Sequence, residues 1–260
     1  MKQKIFRGSF SSLSLVTTGL GLLLMMGSVN ATTVTASQFS YTATIDIVNA
    51  DTGTGIFTGA GVGATFDGTF NYGLTDTDID ITETFGNEAS HGFFLYPSFI
   101  SNGGTQVDSN STWMDILDNL AITADDASLI NSLVGSSLSA GDQVDGWGGF
   151  ADTPDSEFDD ITDEQTEGVA WGFTLASFST LLYDNLDFRP VPPVPGDIDA
   201  AIFSLDEIRN GVTVYSVSGT ISARNYDIGD VELTPVPVPA AVWLFGSAIG
   251  LLGWIRRRAA

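Results

Sequence analysis

Apolar and polar residues alternate along much of this chain. Residues 38–49 read Gln-Phe-Ser-Tyr-Thr-Ala-Thr-Ile-Asp-Ile-Val-Asn, an alternation that suits a half-buried strand. Residues 51–55 then turn it. Residues 63–72 put Phe66, Gly68, Phe70 and Tyr72 on one face. Asp76, Asp78 and Asp80 alternate with Thr77, Ile79 and Ile81. As a strand, that run places the acids on one side and the isoleucines on the other. Residues 168–177 and 211–225 read as further strands. The middle of the chain departs from this period. Residues 111–120 and 124–138 suit helices, the second with Asp125 and Asp126 in its first turn and an apolar stripe of Leu129, Ile130, Leu133 and Val134. The expected fold is mainly β: a β-sandwich or flattened antiparallel barrel with a short helical insertion. Residues 190–196 hold four prolines. They are expected to form a long loop, because the remaining 38 residues to Thr234 are too few for a second core.

Both ends of the chain break the alternation. Lys2, Lys4 and Arg7 precede an apolar stretch at residues 13–26, and Val29-Asn30-Ala31 supplies small residues before a cut. This layout is that of a secretory signal peptide, cleaved after Ala31 by signal peptidase, with Ala36 as a second site. At the other end, Pro235, Pro237 and Pro239 alternate before sixteen uncharged apolar residues, 240–255, which stop at Arg256, Arg257 and Arg258. As a transmembrane helix the run spans about 24 Å, short of the roughly 30 Å hydrocarbon core. Such a helix suits a temporary hold better than a lasting anchor. The arginines would keep that end in the cytoplasm. Proline lacks an N–H and biases its predecessor toward extended geometry, so the segment before the helix should be open to an enzyme's cleft. The expected organisation is a signal peptide at 1–31, an acidic β-rich domain at 32–234 and a sorting signal at 235–260.

The tail residues Val236, Pro237, Val238, Pro239 and Ala240, followed by Trp243-Leu244-Phe245-Gly246-Ser247, Gly250-Leu251 and the arginine cluster, resemble the PEP-CTERM sorting signal of Gram-negative bacteria. The likeness is to its variant with a Val-Pro-x-Pro-Ala core, and valine here replaces the glutamate between the prolines. The resemblance implies recognition by an exosortase, passage through the inner membrane, and delivery to the cell surface or extracellular matrix. That family is associated with exopolysaccharide and biofilm. The catalytic residues belong to the exosortase, so none is assigned to this chain. A looser resemblance to exosortase-targeted proteins lies in Gly63-Ala64-Thr65-Phe66-Asp67-Gly68-Thr69-Phe70-Asn71-Tyr72 and in a late Gly219-Thr220-Ile221-Ser222-Ala223 strand. That late strand is expected to pair with residues 42–48.

Charge sharpens this picture. The chain carries 32 acids and nine basic residues, a net charge of −23. Six of the nine lie in the two ends. Residues 32–234 thus hold all 32 acids against Arg189, Arg209 and Arg224, a net of −29, with no lysine. Such a surface repels nucleic acid and anionic lipid, which excludes nucleic-acid binding. The chain also has no cysteine. Thiol catalysis, Cys-zinc sites and covalent haem attachment are therefore absent, and a domain of this size can build a core without disulfides.

Candidate chemistry is thin. His91 is the one histidine and sits in Ala89-Ser90-His91-Gly92-Phe93. No nucleophile elbow accompanies it, so an ordinary loop or strand-end role is expected. Hard cations want several oxygen ligands. Asp76, Asp78 and Asp80 begin like a calcium loop, but Ile81 replaces the glycine of the sharp turn. The stretch from Asp152 to Glu167 is richer, with Asp155, Glu157, Asp159, Asp160 and Asp163 as the weak candidates for calcium. Two carboxylates across a cleft would suit a glycosidase, but among 32 acids such a pair arises by chance. Trp113, Trp147 and Trp171 either build the core or stack on sugar rings, and the core is the commoner place. The sequence therefore supports an exported, non-enzymatic surface or matrix component. A carbohydrate-binding module using Trp147 or Trp171 is the alternative, and a secreted hydrolase stands behind both.

Overall fold

The computed structural model describes residues 33–154, 156–158, 165–179 and 181–233. They belong to one compact unit, Thr32–Thr234. Among the described residues ten strands occur in chain order: β1 (Thr33–Asp51), β2 (Thr65–Tyr72), β3 (Ile81–Phe85), β4 (Glu88–Asn102), β5 (Thr105–Ala121), β6 (Gln143–Asp152), β7 (Glu157–Phe158), β8 (Gln165–Ser177), β9 (Ala200–Arg209) and β10 (Val212–Glu232). One α-helix, α1 (Ala124–Val134), lies between β5 and β6 among the described residues. The chain is mainly β, as its alternation predicts.

The pairings are antiparallel and follow the order β2-β1-β10-β9-β8-β6-β5-β4-β3, with β7 attached to β8. A further pairing joins β2 to β4 through Asp67 and Ser101, Gly68 and Ile100, and Thr69 and Phe99. Eight strands therefore form a ring. β4 is shared along its length, with its first half beside β3 and its second half beside β2. The expected late strand lies where the sequence placed it, with Gly219 opposite Ile45, Ile221 opposite Ala43 and Ala223 opposite Thr42.

Alternation along each strand fills the ring. Phe39, Tyr41, Ala43 and Ile45 of β1 are buried, as are Phe66, Phe70 and Tyr72 of β2. Phe93 and Ile100, Met114 and Ile116, Trp147 and Ala151, and Phe173 and Leu175 continue the set around the ring. Phe203 and Leu205, then Tyr215 and Val217, complete it. Gly68 has a packing reason. It faces Tyr41 across β1 and β2, and a Cβ there would sit 2.4 Å from the tyrosine ring. The missing side chain lets the ring lie flat over the neighbouring strand.

Two long connections pack onto this interior. In the β1–β2 connection, Phe57 is buried with its ring 5.0 Å from that of Phe66. The Tyr215 hydroxyl donates to the Ala60 carbonyl at 2.7 Å, and the buried Glu207 carboxylate accepts from the Ile56 N–H at 2.6 Å. The Pro-rich β8–β9 connection is held as a strap. Trp147 Nε1 donates to the Arg189 carbonyl and the Tyr72 hydroxyl to the Pro190 carbonyl, each at 2.8 Å. Buried Asp145 accepts from the N–H groups of Leu182 and Tyr183. The proline stretch is thus a loop fastened to the core.

Two elements differ from their expectation. Residues 111–120 form the second half of β5, not a helix. Thr112, Met114 and Ile116 are buried at period two while Trp113, Asp115 and Leu117 face outward. Flanking strands on both sides satisfy the backbone, and that pairing overrides local helix preference. Residues 76–78 form a 3₁₀ turn rather than a strand. Asp78 accepts from the N–H groups of Leu74 and Thr75, each at 2.9 Å, which closes the turn locally. Helix α1 begins where expected, capped reciprocally by Thr123 and Asp126. It ends at Gly135 in a left-handed conformation, φ 71°.

The β1–β10 pairing sets a steric test. A Cβ on Gly219 would meet the Thr44 carbonyl oxygen at 2.0 Å, whereas one on Gly61 meets nothing within 4 Å. Gly219→Ala should lower unfolding stability by more than about 2 kcal/mol, while Gly61→Ala stays within about 0.5 kcal/mol. Equal urea midpoints for the two variants would contradict the close strand approach.

Candidate functional site

The outer face of β3, β4, β5 and β6 brings together partly exposed aromatic rings and desolvated acids. Cross-strand neighbours set it out in rows. One row runs Ile81, Gly92, Trp113, Phe150 and Gly172. The next runs Glu83, Ser90, Asp115, Gly148 and Thr174, and the third Phe85, Glu88, Leu117 and Gly146. Residues in successive rows sit about 7 Å apart along each strand. The middle row is thus a polar floor, with Trp113 and Phe150 on one side and Phe85 and Leu117 on the other, where Glu88 also stands. It opens as a groove of about 490 Å³ lined by Glu83, Phe85, Ser90, Trp113, Asp115, Phe150 and Asp152.

The rings are accessible in part. Phe85 is 63% exposed, and Phe94 is 44% exposed with its ring edge-on to Trp113 at 5.9 Å. Trp113 and Phe150 are half-buried. The floor holds an unusual carboxyl. Burial pushes Asp115 up to about 6, the nearby Glu88 charge adds to the rise, and a 2.7 Å hydrogen bond from Ser90 Oγ opposes it. Burial also raises Asp152 and Glu88. Among the described residues lining the groove, none is basic. Rings offer flat apolar faces and an edge-positive, face-negative quadrupole. Carboxylates accept strong charge-assisted hydrogen bonds. The arrangement can hold a flat, polar-edged or cationic ligand.

A second cavity, about 610 Å³, lies on the opposite side of β3 and includes Asp76, Asp80, Thr82, His91 and Asp187. His91 is a buried residue within β4 rather than at a loop or strand end. Its Nδ1 lies 3.2 Å from Thr82 Oγ1 and its Nε2 lies 3.3 Å from the Leu186 carbonyl. A carbonyl can only accept, so Nε2 carries the proton and Nδ1 accepts from Thr82. Burial lowers its pKa, and the bond to Leu186 acts against that. The histidine ties the strap to β4.

The other sequence candidates separate. Trp147 and Trp171 are 0% and 1% exposed. Both rings lie in the core, where no sugar reaches them, which removes the sugar-binding reading built on those two residues. Among the described residues, Trp113 is the tryptophan that faces outward. Asp78 and Asp80 serve backbone groups; Asp80 accepts from the Phe94 N–H at 2.5 Å. Asp155, Asp159, Asp160 and Asp163 lie outside the described residues. Glu157 begins β7 opposite Glu167. Among the described residues no three His, Cys, Asp or Glu side chains cluster as a metal site would require. Ala31, residues 236–240 and Arg256, Arg257 and Arg258 also lie outside the described residues. No described helix is long and apolar enough to cross a membrane. Residues 111–120 read as a helix give no hint of the groove. Read at period two, Trp113, Asp115 and Leu117 fall on one face.

Compared with protein families, characterised proteins and solved structures, the chain matches none.

Asp115 makes stability depend on pH in a defined direction. The folded chain holds this proton more tightly than the unfolded chain, in which aspartate titrates near about 3.9. The stabilisation is therefore full below about pH 4 and is lost as pH rises through about 6. Asp115→Asn keeps the acceptor for Ser90 and removes the desolvated charge. It should raise stability by on the order of 1–2 kcal/mol at pH 8, after discounting for partial exposure, and change it little at pH 4. Urea titrations at the two pH values check this, and an equal shift at both would contradict it.

Proposed function

We propose that this chain is an exported, non-enzymatic component of the cell surface or extracellular matrix, structural or adhesive in role and linked to exopolysaccharide. The observation that carries the reading is the tail. A Val236-Pro237-Val238-Pro239-Ala240 segment, a short apolar run and Arg256, Arg257 and Arg258 stand in that order. In this proposal signal peptidase cuts after Ala31 and the tail holds the chain in the inner membrane. An exosortase then reads residues 236–240, and the acidic domain is left at the surface or in the matrix. Three further features support it. The −29 charge of residues 32–234 favours solubility and discourages adhesion to other polyanions. The ring's interior is filled with side chains, and the exposed chemistry lies on its outside. Both nitrogens of His91 are engaged in structural hydrogen bonds, which argues against a histidine base.

Replacing residues 236–239 with Gly-Ser-Gly-Ser tests the sorting step. The variant should remain full length in the inner-membrane fraction, while the native chain appears at the surface with a mass that reflects a cut at each end. A variant that still reached the surface would overturn the reading.

A further inference from the structure

We propose that the groove between β3 and β6 binds a polysaccharide that carries free amino groups. Shape comes first. The floor of Ser90, Asp115 and Gly148 is polar, while Trp113 and Phe150 on one side and Phe85 on the other are apolar. A pyranose ring is amphiphilic in the matching sense, with C–H faces for the rings and polar edges for the floor. Gly148 stands beside Asp115 in the same row, where a Cβ would meet the Phe173 carbonyl oxygen at 2.6 Å, so the close approach of β6 and β8 requires glycine there.

Charge selects among sugars. Glu83, Asp115 and Asp152 line the groove, and Glu88 stands in the adjoining row. The three arginines of the domain lie elsewhere: Arg189 beside Asp184 on the strap, Arg209 bonded to Glu207, and Arg224 on β10. An acidic glycan would meet repulsion from the floor and from a domain of net charge −29. An ammonium group would meet carboxylates and ring faces together. It would also give Asp115 a charge partner that it lacks among the described residues, so the ionised carboxylate costs less in the complex than in the free protein.

A basic peptide fits less well. β4, β5 and β6 are paired on both sides where they form the floor, so strand addition is confined to the outer edge of β3, away from the rings and carboxylates of the floor. A lysine side chain offers a point charge on a flexible stem and has no flat face for the two walls.

The inference deepens the matrix reading by naming the class of polymer, and its test is independent of where the protein travels. The full chain, solubilised in mild detergent, is titrated calorimetrically with a glucosamine hexamer, its N-acetylated counterpart, a glucose hexamer and penta-lysine. The glucosamine hexamer should bind at least tenfold more tightly than the other three and should quench tryptophan fluorescence. Trp113→Ala and Asp115→Asn should each weaken binding about tenfold. Glu83→Gln, on the exposed strand β3, should weaken it about threefold without touching the core. Binding unchanged within twofold in Glu83→Gln and Asp115→Asn would overturn the proposal. So would equal affinity for penta-lysine or for the glucose hexamer.

Discussion

A ring of eight strands encloses a volume that only side chains can fill, and here aromatic rings fill it. Phe39 stacks on Phe173 at 4.4 Å and meets Trp147 edge-on at 5.2 Å. Phe70 meets Phe173 at 4.9 Å, and Tyr72 reaches Trp147 at 6.0 Å. These contacts join β1, β2, β6 and β8 across the interior. Each large ring removes much apolar surface from water and gains directional packing on top. With no cysteine, no covalent link between strands is available, so closure rests on this packing and on the ladders.

The polar atoms of the same rings do a second job. Trp147, Tyr72 and Tyr215 are buried by their ring bodies yet present an N–H or O–H at the edge of the core. Each finds a carbonyl in a long connection: Arg189, Pro190 and Ala60 respectively. Buried carboxylates complete the attachment from the acceptor side. Glu207 takes the Ile56 N–H, and Asp145 takes those of Asn119, Leu182 and Tyr183. Acidity is therefore more than a surface property of this domain. Some of its acids act as anchors for backbone groups that water would otherwise satisfy.

With the inside full, chemistry is left to the outside. The outer groove draws on residues that face away from the core on three long strands and on β3, whose five residues are all exposed. Trp113 lies over Gly92 and Leu117 over Gly146, and burial moves the central carboxyl, that of Asp115, well above the usual carboxylate range. A rigid interior behind it holds the walls at fixed spacing, which is what recognition of a stiff, flat ligand requires.

Much of this protein is legible in its sequence, and the limits have physical causes. Alternation in residues 38–49, 63–72 and 168–177 sets the strand faces directly, because a strand's side chains alternate whatever it pairs with. Asp125 and Asp126 in the first turn and the apolar stripe mark the start of α1 locally as well, whereas its end at Gly135 comes before the expected residue 138. The signals expected at the two ends rest on composition and order alone. Residues 111–120 suit a helix on local grounds, yet a short apolar pattern of this kind also fits period two. Their strand state is decided by β4 and β6, which take up their backbone groups from either side. The same partners decide the groove. Phe85, Ser90, Trp113, Asp115 and Phe150 are spread over 66 positions of chain, and nothing local connects them. By itself the sequence determined which faces are apolar, where the helix begins and how charge is distributed. Only the tertiary structure decided which tryptophan faces water and which carboxyl is desolvated, because both follow from cross-strand neighbours that register alone brings together.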